Sequence, residues 1–265
     1  MRIGILTDIH EAVEAAAAVI DLMREQNVDE IICLGDFCEM GTRLEETCEL
    51  LLRERVQCVW GNHDFGLCEE ARLGPVERYP LVVAEFAKTA VARIQIGELL
   101  FMHVEPWLDP NEITDLWYFE GVPDTVEKRA RIFADRGPAD QGEEGQGWRI
   151  AFAGHYHTWL AVTEDEPHTW DGTTPLDLSH GRHFVVIDAC LNGHCTIFDT
   201  DSQLLTPLRV PGVQFANMED TLQGPISSTD GKPTGSTNDP SYEARRFATM
   251  AASFDPGIAR PTGEQ

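Results

Sequence analysis

The chain has 265 residues, of which 42% are hydrophobic and 25% are charged, so it can bury the core of one large α/β domain. Its 20 basic and 45 acidic residues give a net charge of −25. A surface this acidic repels nucleic acid polymers and anionic membranes, and it repels a phosphorylated ligand unless bound cations reverse the local field.

The sequence shows no recognisable signal peptide or membrane span, and together with its cysteine usage this predicts a cytoplasmic protein. The opening "MRIGILTDIH" has too short an apolar run for a signal peptide, and no stretch reaches the ~18 apolar residues that cross a membrane. The seven cysteines are odd in number and lie mostly inside apolar runs, which favours reduced thiols. Cys190 and Cys195 lack a second Cys/His pair of zinc-finger spacing, so they are expected to be ordinary buried thiols.

The predicted elements alternate between short apolar strands and helices. Strands are predicted at 2–7, 30–35, 56–61, 98–103 and 149–154. Helices are predicted at 11–26, 42–55 and 79–94. This alternation predicts a mostly parallel sheet with right-handed crossovers.

Three further regions break this alternation. Residues 106–147 are polar and aromatic and predict an insertion with one or two helices over the carboxyl ends of the strands. Residues 183–210 predict three short strands joined by tight turns. Residues 214–265 are rich in turn residues, which predicts a poorly structured C-terminal tail with a short helix near 241–254. The predicted organisation is therefore one domain over 1–213, followed by the tail.

Five predicted strands end in residues that can bind metal ions. Ligands of open α/β sheets bind outside the carboxyl ends of the strands, so these side chains are expected to share one edge. Each signal is weak alone, because an Asp after Gly is usually a turn residue and a lone His such as His103 is more often a satisfied polar residue. The set comprises Asp8, His10, Asp36, Asn62, His63, Asp64, His103, His155 and His157.

The ligand types in this set indicate the chemistry. Imidazole, carboxylate and amide oxygen suit Mn, Fe or Zn. There are too many ligands for one tetrahedral site, so we expect two divalent ions that share a bridging carboxylate. Two-metal sites hold the ions about 3.5–4 Å apart, clamp the oxygens of an in-line displacement at phosphorus and lower the pKa of bound water toward ~7, which makes hydroxide the expected nucleophile.

The motifs "TDIH", "LGDFCEMG", "WGNHD", "MHVEP" and "AGHYHT" together resemble the calcineurin-like metallophosphoesterase superfamily, most closely its small bacterial phosphoesterase branch. The resemblance covers roughly residues 1–190 and leaves out the tail. It implies an α/β layered fold, in which a core of two packed β-sheets is flanked by helices and the active site lies at the carboxyl ends of the strands.

The resemblance also implies a role for each residue. The first metal ion would be bound by Asp8, His10 and His157. The second would be bound by Asn62, His103 and His155, with Asp36 bridging the two ions. His63 would contact the substrate phosphate and protonate the leaving oxygen, and Asp64 would orient His63 unless it is only a turn or capping residue.

The sequence departs from the family pattern in three places. Glu39 and Met40 stand where Ser/Thr protein phosphatases carry Asp-Arg, so that activity is not expected. Val104 and Glu105 follow His103 where Gly is usual, and "PLDLSHGRHF" stands in place of an "NPGS"-type turn. Three arginines are candidates to anchor phosphate, although an arginine at such a position is more often a solvated surface charge: Arg43, Arg129 and Arg182.

The leading hypothesis is therefore a dinuclear metal-dependent phosphohydrolase acting on a phosphomonoester or phosphodiester. The alternatives are a catalytically silent binding or scaffold module of the same fold, and a zinc hydrolase of an amide or thioester. The expected substrate is a small phosphorylated molecule rather than a nucleic acid polymer or a membrane, and the sequence does not indicate an oligomeric state. A nucleotide-like substrate would fit if aromatic residues of the insertion stack on it rather than pack the insertion: Trp107, Trp117, Tyr118 and Phe119.

Overall fold

The computed structural model describes residues 1–39, 42–74, 79–134, 147–165, 167–168 and 170–210. The predicted tail with its short helix lies outside the described residues, as does the part of the predicted insertion at 135–146. The division of the chain at 213/214 therefore stays a prediction.

The described residues form six α-helices and twelve β-strands. The helices are α1 (Val13–Glu25), α2 (Leu44–Arg53), α3 (Phe65–Leu73), α4 (Leu81–Ala87), α5 (Ile113–Leu116) and α6 (Val126–Ala134). The strands are β1 (Arg2–Leu6), β2 (Glu30–Cys33), β3 (Gln57–Cys58), β4 (Ile94–Ile96), β5 (Leu99–Phe101), β6 (Ile150–Ala153), β7 (Leu160–Thr163), β8 (Pro167–His168), β9 (Leu176–Asp177), β10 (His183–Val186), β11 (His194–Asp199) and β12 (Leu204–Arg209).

The described strands form two mixed sheets. The first has the order β3-β2-β1-β11-β12-β9, in which β1, β2 and β3 are parallel and the remaining pairs are antiparallel. The second has the order β4-β5-β6-β10-β7-β8, in which β5, β6 and β10 are parallel. Five of these parallel strands, β1, β2, β3, β5 and β6, lead into the motifs that carry the metal-binding residue types.

An apolar layer joins the two sheets face to face. Ile3 and Ile5 of β1 are fully buried in it together with Phe152 of β6. The Phe152 ring lies 5.3 Å from the Phe101 ring and 5.5 Å from the Phe198 ring, centroid to centroid. Because interiors of this kind are close-packed, the layer fixes the separation between the ends of β1 and β6.

Helices flank the outer faces of the sheets. The α1 helix buries Val19, Ile20 and Met23 in a second apolar cluster that also contains residues of α2 and α4. On the other sheet, Phe133 of α6 packs on Trp148 with the ring centroids 5.6 Å apart. The prediction of two packed sheets flanked by helices is confirmed.

Two predictions about secondary structure are wrong. The sheet is not mostly parallel, because β11 pairs antiparallel with β1 in the middle of the first sheet. The helix predicted at 79–94 ends at Ala87, and the chain then turns to form β4. Tertiary pairing overrides helix propensity there, since the Val91 N–H donates to Cys58 O at 3.0 Å and the Trp60 N–H donates to Val91 O at 3.0 Å.

Some elements carry no clear signal in the sequence. The α3 helix and the strands β7, β8 and β9 were not predicted, and β8 and β9 have only two residues each. The three strands predicted at 183–210 are present as β10, β11 and β12. All seven cysteines are free thiols, and Cys190 and Cys195 are buried as predicted. Within the part of the chain that the structure describes, every helix is too short or too polar to cross a membrane.

Candidate metal centre at the strand ends

The loops that follow β1 and β2 are joined by backbone hydrogen bonds. The Asp8 N–H donates to Gly35 O at 3.0 Å, and the His10 N–H donates to Asp36 O at 2.9 Å. The Glu11 N–H continues the series to Phe37 O at 3.1 Å. The parallel pairing of the two strands thus extends into the loops, which places Asp8, His10 and Asp36 side by side.

Five of the proposed metal ligands have left-handed backbone conformations. Positive φ angles occur at Asp8 (52°), His10 (46°), Asp36 (53°), His155 (69°) and His157 (49°). A non-glycine residue in a sparsely populated region costs about 1–3 kcal/mol and persists only where its surroundings enforce it. Such residues cluster at functional sites, and here they turn the side chains of three separate loops toward one another.

Two glycines let these loops approach closely. A Cβ atom at Gly61 would overlap the Asp36 carboxylate, and one at Gly154 would overlap the Thr7 hydroxyl and lie 2.6 Å from Asp8 Oδ2. Only glycine therefore fits in front of the "NHD" and "HYH" motifs. The sequence keeps glycine where the loops after β3 and β6 pass the carboxylates.

The first ligand group consists of Asp8, His10 and His157. Asp8 Oδ1 lies 3.1 Å from His157 Nε2 and 3.7 Å from His10 Nε2, and these two nitrogens are 3.2 Å apart. The other carboxylate oxygen accepts the Thr7 hydroxyl at 2.6 Å and the His155 N–H at 3.0 Å. Asp8 Oδ1 is buried and accepts no hydrogen bond from the described residues.

The second ligand group consists of Asn62, His103 and His155. Asn62 Oδ1 lies 2.9 Å from His103 Nε2 and 3.0 Å from His155 Nδ1. His103 Nδ1 lies 2.8 Å from Leu34 O, to which it donates its proton. That backbone contact orients the ring so that Nε2 faces the centre, where it can bind a cation that displaces its proton.

Asp36 lies between the two groups. Its Oδ2 atom is 3.2 Å from His103 Nε2 and 3.8 Å from His10 Nε2. Its Oδ1 atom accepts the His63 N–H at 3.0 Å, which fixes the carboxylate. This is the position expected of a carboxylate shared by two sites.

The donor atoms fit divalent cations. Three sets of donor atoms each lie within 4.8 Å of one another: Asp8, His10 and His157; His10, Asp36 and His63; and Asp36, His103 and His155. His10 Nδ1 lies 2.7 Å from Glu39 Oε2 and donates to it, while His10 Nε2 faces His157 Nε2 at 3.2 Å. Two ring nitrogens at this distance need a proton or a cation between them. Imidazole and carboxylate donors suit Mn, Fe or Zn.

Charge in the centre shifts several pKa values. Burial alone would lower the pKa of His103, but the Asp36 and Asp8 carboxylates outweigh it and raise this pKa to about 9. Burial and the neighbouring His103 lower the pKa of His155 to about 4. Burial alone would raise the pKa of Asp8, but His157 and His10 hold it well below its usual range. The carboxylates are thus ionised, and their negative charge favours protonated histidines or bound cations in the centre.

His63 lies beside the ligand groups. Its ring packs edge-on against the His10 ring with the centroids 4.9 Å apart, and it lies 5.1 Å from the Trp117 ring. Its Nδ1 atom is 3.3 Å from Glu39 Oε2. Burial lowers the pKa of His63, with the nearby Asp36 carboxylate opposing this effect.

Glu39 is a functional candidate that the sequence did not single out. The same oxygen, Oε2, lies next to Nδ1 of both His10 and His63. The Glu39 backbone is held in turn by Glu11, whose Oε1 accepts the Glu39 N–H at 3.0 Å and whose Oε2 accepts the Arg43 N–H at 2.6 Å. The signal in the sequence is an acidic residue three positions after Asp36, at a site where protein phosphatases carry Asp-Arg.

The sequence predicts that Asp64 orients the His63 ring, whereas in the structure the Asp64 carboxylate binds backbone groups. Asp64 is fully buried, and its carboxylate accepts backbone N–H groups from Cys38 at 2.8 Å, Gly61 at 3.0 Å and Phe37 at 3.4 Å. It therefore ties the loop after β2 to the loop after β3, and Glu39 takes the place beside the imidazole. Burial and the Asp36 charge raise the pKa of Asp64 to about 7.

The three candidate arginines hold other parts of the molecule. Arg43 forms an exposed ion pair with Glu46 at 2.7 Å. Arg129 donates to the backbone carbonyl of Asp124 at 3.0 Å. Arg182 lies 4.0 Å over the Trp148 ring and donates to Phe133 O at 2.7 Å. In the described residues, these guanidinium groups stabilise loops and helices instead of extending into the metal centre.

The unusual "VE" after His103 has a structural role. Val104 and Glu105 are buried, and the Glu105 carboxylate accepts the Tyr156 hydroxyl and the Trp107 indole N–H. Burial and this carboxylate raise the pKa of Tyr156, so the hydroxyl keeps its proton. Tyr156 stands between His155 and His157, and Glu105 thereby links the loop after β5 to the loop after β6.

Fold and site together define the class of protein: an α/β sandwich of two mixed sheets with candidate metal-binding groups at its strand ends. The calcineurin-like phosphoesterase superfamily domain matches residues 1–170, well over half of the chain. The chain belongs to this superfamily.

Comparison with known proteins supports the fold. A metallophosphoesterase from Sphaerobacter thermophilus is similar with a TM-score of 0.61 and 24% identity, over 83% of this chain and 91% of that chain. A hypothetical protein from Pyrococcus horikoshii OT3 has a TM-score of 0.56 and 12% identity over the same shares, 83% and 91%. An uncharacterized protein of Methanocaldococcus jannaschii is 29% identical over 89 residues, which is 34% of this chain and 37% of that relative. The chain thus matches little more than a third of that relative's length.

Proposed function

We propose that this protein is a dinuclear metal-dependent phosphohydrolase that cleaves the P–O bond of a phosphomonoester or phosphodiester. The observation that carries the proposal is the position of Asp36 between two ligand groups, with His63 next to both. One ion would be held by Asp8, His10 and His157, and the other by Asn62, His103 and His155. When bound, two divalent ions supply an activated water and the positive charge that draws in the phosphoryl oxygens.

The side chains divide the remaining work. Water adds to phosphorus, the ester P–O bond breaks, and the leaving oxygen takes a proton from His63. Glu39 holds Nδ1 of His63, so the opposite nitrogen, Nε2, is the one that can donate. A phosphate dianion beside the ring favours the imidazolium form and offsets the effect of burial on the His63 pKa.

The charge pattern supports a small phosphorylated substrate. Asn62 is a neutral ligand and adds no negative charge to a centre that must accept phosphate. The net charge of −25 disfavours nucleic acid polymers and anionic membranes as partners, and the seven free thiols suit the cytoplasm. Bound cations would make the local field of the centre positive, so that it attracts phosphate although the rest of the surface is acidic.

The test is turnover by the purified protein loaded with Mn²⁺. We expect hydrolysis of p-nitrophenyl phosphate or bis-p-nitrophenyl phosphate, near-complete loss in Asp36→Asn, and a smaller loss in His63→Ala, because p-nitrophenolate leaves without a proton. Metal analysis of the same preparations should find two ions per wild-type chain. If Mn²⁺, Fe²⁺ and Zn²⁺ all give no turnover above the Asp36→Asn variant, the proposal is wrong, and a silent binding module becomes the better account.

A further inference from the structure

The segment that follows α5 places two aromatic rings beside the metal centre. The Trp117 ring lies 5.1 Å from the His63 ring, and the Phe119 ring lies 5.9 Å from the His155 ring. Tyr118, between them, turns the other way and packs 5.3 Å from the Trp107 ring. Alternate residues of this segment therefore face the centre.

Phe119 is exposed although it borders a polar site. The residue is 58% exposed, while its ring contacts the Tyr156 ring at 5.1 Å on one side. Large apolar side chains are stabilised when their free face is covered, and an aromatic ring prefers another ring in offset or edge-on contact. A ligand held at the metal centre would lie beside this free face.

A set of hydrogen bonds and ring contacts holds the Phe119 ring in place. Tyr156, on which Phe119 packs, donates its hydroxyl to the buried carboxylate of Glu105. Glu105 also accepts the Trp107 indole N–H, and the Arg131 guanidinium lies 4.4 Å over the Trp107 ring. The position of the Phe119 ring is thus tied to the loop that carries His155 and His157, and it is not that of a free loop side chain.

We infer that Phe119 is a stacking platform for a flat aromatic group that the substrate carries next to its phosphate. This inference rests on the proposed function and names the substrate class: aryl phosphates and nucleotides in preference to alkyl or sugar phosphates. The Phe119 ring lies 5.9 Å from the His155 ring, so the ester substituent of a phosphate bound beside His155 would lie next to the Phe119 ring.

The experiment compares three substrates in the Mn²⁺-loaded full chain: phenyl phosphate, adenosine monophosphate and glycerol phosphate. In Phe119→Ala we expect KM to rise about tenfold for a ring-bearing substrate, with kcat little changed, which corresponds to ~1.4 kcal/mol. KM for glycerol phosphate should stay within twofold. Phe119→Tyr should restore the wild-type KM, and Phe119→Leu should not, because the leucine side chain has no flat face.

A second readout does not depend on turnover. In the His63→Ala background loaded with Mn²⁺, calorimetry with phenyl phosphate or adenosine monophosphate should show about tenfold weaker binding when Phe119 is also changed to Ala. Val126→Ala is the matched control, since Val126 is 66% exposed and lies at the start of α6 on the same insertion. The response to the two ligands distinguishes a preference for aryl groups from one for nucleobases.

Three outcomes overturn the inference. If Phe119→Ala hydrolyses all three substrates with the wild-type KM, the metal centre works without an aromatic platform, and the proposed function would stand. A wild-type dimer that dissociates in Phe119→Ala on gel filtration, with unchanged KM, would show that a second copy covers the ring. Absence of turnover above the Asp36→Asn variant would remove both the inference and the proposed function.

Discussion

The Nδ1 atom of His63 lies 3.3 Å from Oε2 of Glu39, and the same oxygen lies 2.7 Å from Nδ1 of His10. One carboxylate thus orients both the proposed proton donor and a proposed metal ligand. A partner of this kind fixes the tautomer of an imidazole and the direction of its free nitrogen. The geometry makes Glu39 the residue whose loss should affect the two functions together.

Replacing Glu39 should lower activity without unfolding the protein. In Glu39→Gln we expect kcat to fall about 10- to 100-fold, which is typical for the loss of a partner that orients a ligand. Steady-state kinetics with p-nitrophenyl phosphate measures this. Glu46→Gln is the matched control, because Glu46 is on the exposed side of the following helix and pairs with Arg43. Equal activity of the two variants would contradict the role of Glu39.

Replacing His63 should make the rate depend on the leaving group. A poor leaving group such as an alkyl alcohol needs a proton, whereas p-nitrophenolate does not. In His63→Ala we therefore expect a loss of about 10²–10⁴ for an alkyl phosphate and a clearly smaller loss for p-nitrophenyl phosphate. His180→Ala serves as the control, because His180 is exposed. The same factor for both substrates would mean that His63 does not donate the proton.

Metal ions should stabilise the folded chain through Asp36. At 100 times the dissociation constant, a ligand that binds only the native state adds about 2.7 kcal/mol, which is roughly 5–10 °C in Tm for a chain of this size. Thermal melts with and without Mn²⁺ measure this shift. We expect it to shrink strongly in Asp36→Asn and to persist in Asp21→Asn, whose side chain is exposed on α1. An undiminished shift in Asp36→Asn would exclude Asp36 as a ligand.

Asp64 should make the stability of the metal-free protein depend on pH. Its pKa is raised to about 7 from an ordinary value of 3.8, so its stabilising contribution is present at low pH and is lost as the pH rises through about 7. In Asp64→Asn this dependence disappears, and a backbone N–H loses its acceptor at a cost of about 1–3 kcal/mol. Urea unfolding at pH 5 and pH 8 should show a larger wild-type advantage at pH 5. An advantage that is the same at both values would contradict the shift.

The metal-binding residue types could be predicted because the signals are local. Each follows a short apolar strand, and parallel strands bring their carboxyl ends to one edge, so Asp8, Asp36 and His103 could be placed without knowing the whole topology. The antiparallel pairing of residues 2–5 with 196–199 could not be foreseen, since nothing in either segment specifies a partner so distant in the chain.

The partner of His63 was missed for a related reason. Asp64 is adjacent in sequence and was the natural choice. The left-handed turn at Asp36 and the clamp from Glu11 instead bring Glu39 to the imidazole, and buried Asp64 turns toward the backbone of two loops. Neither the φ angle of Asp36 nor the path of the loop after it follows from the spacing of residues.

The most direct test of two ions sharing Asp36 is an anomalous difference map from a crystal grown with Mn²⁺. The account predicts two peaks on either side of the Asp36 carboxylate, one among Asp8, His10 and His157 and the other among Asn62, His103 and His155. A single peak, or peaks that leave Asp36 without a metal contact, would contradict it.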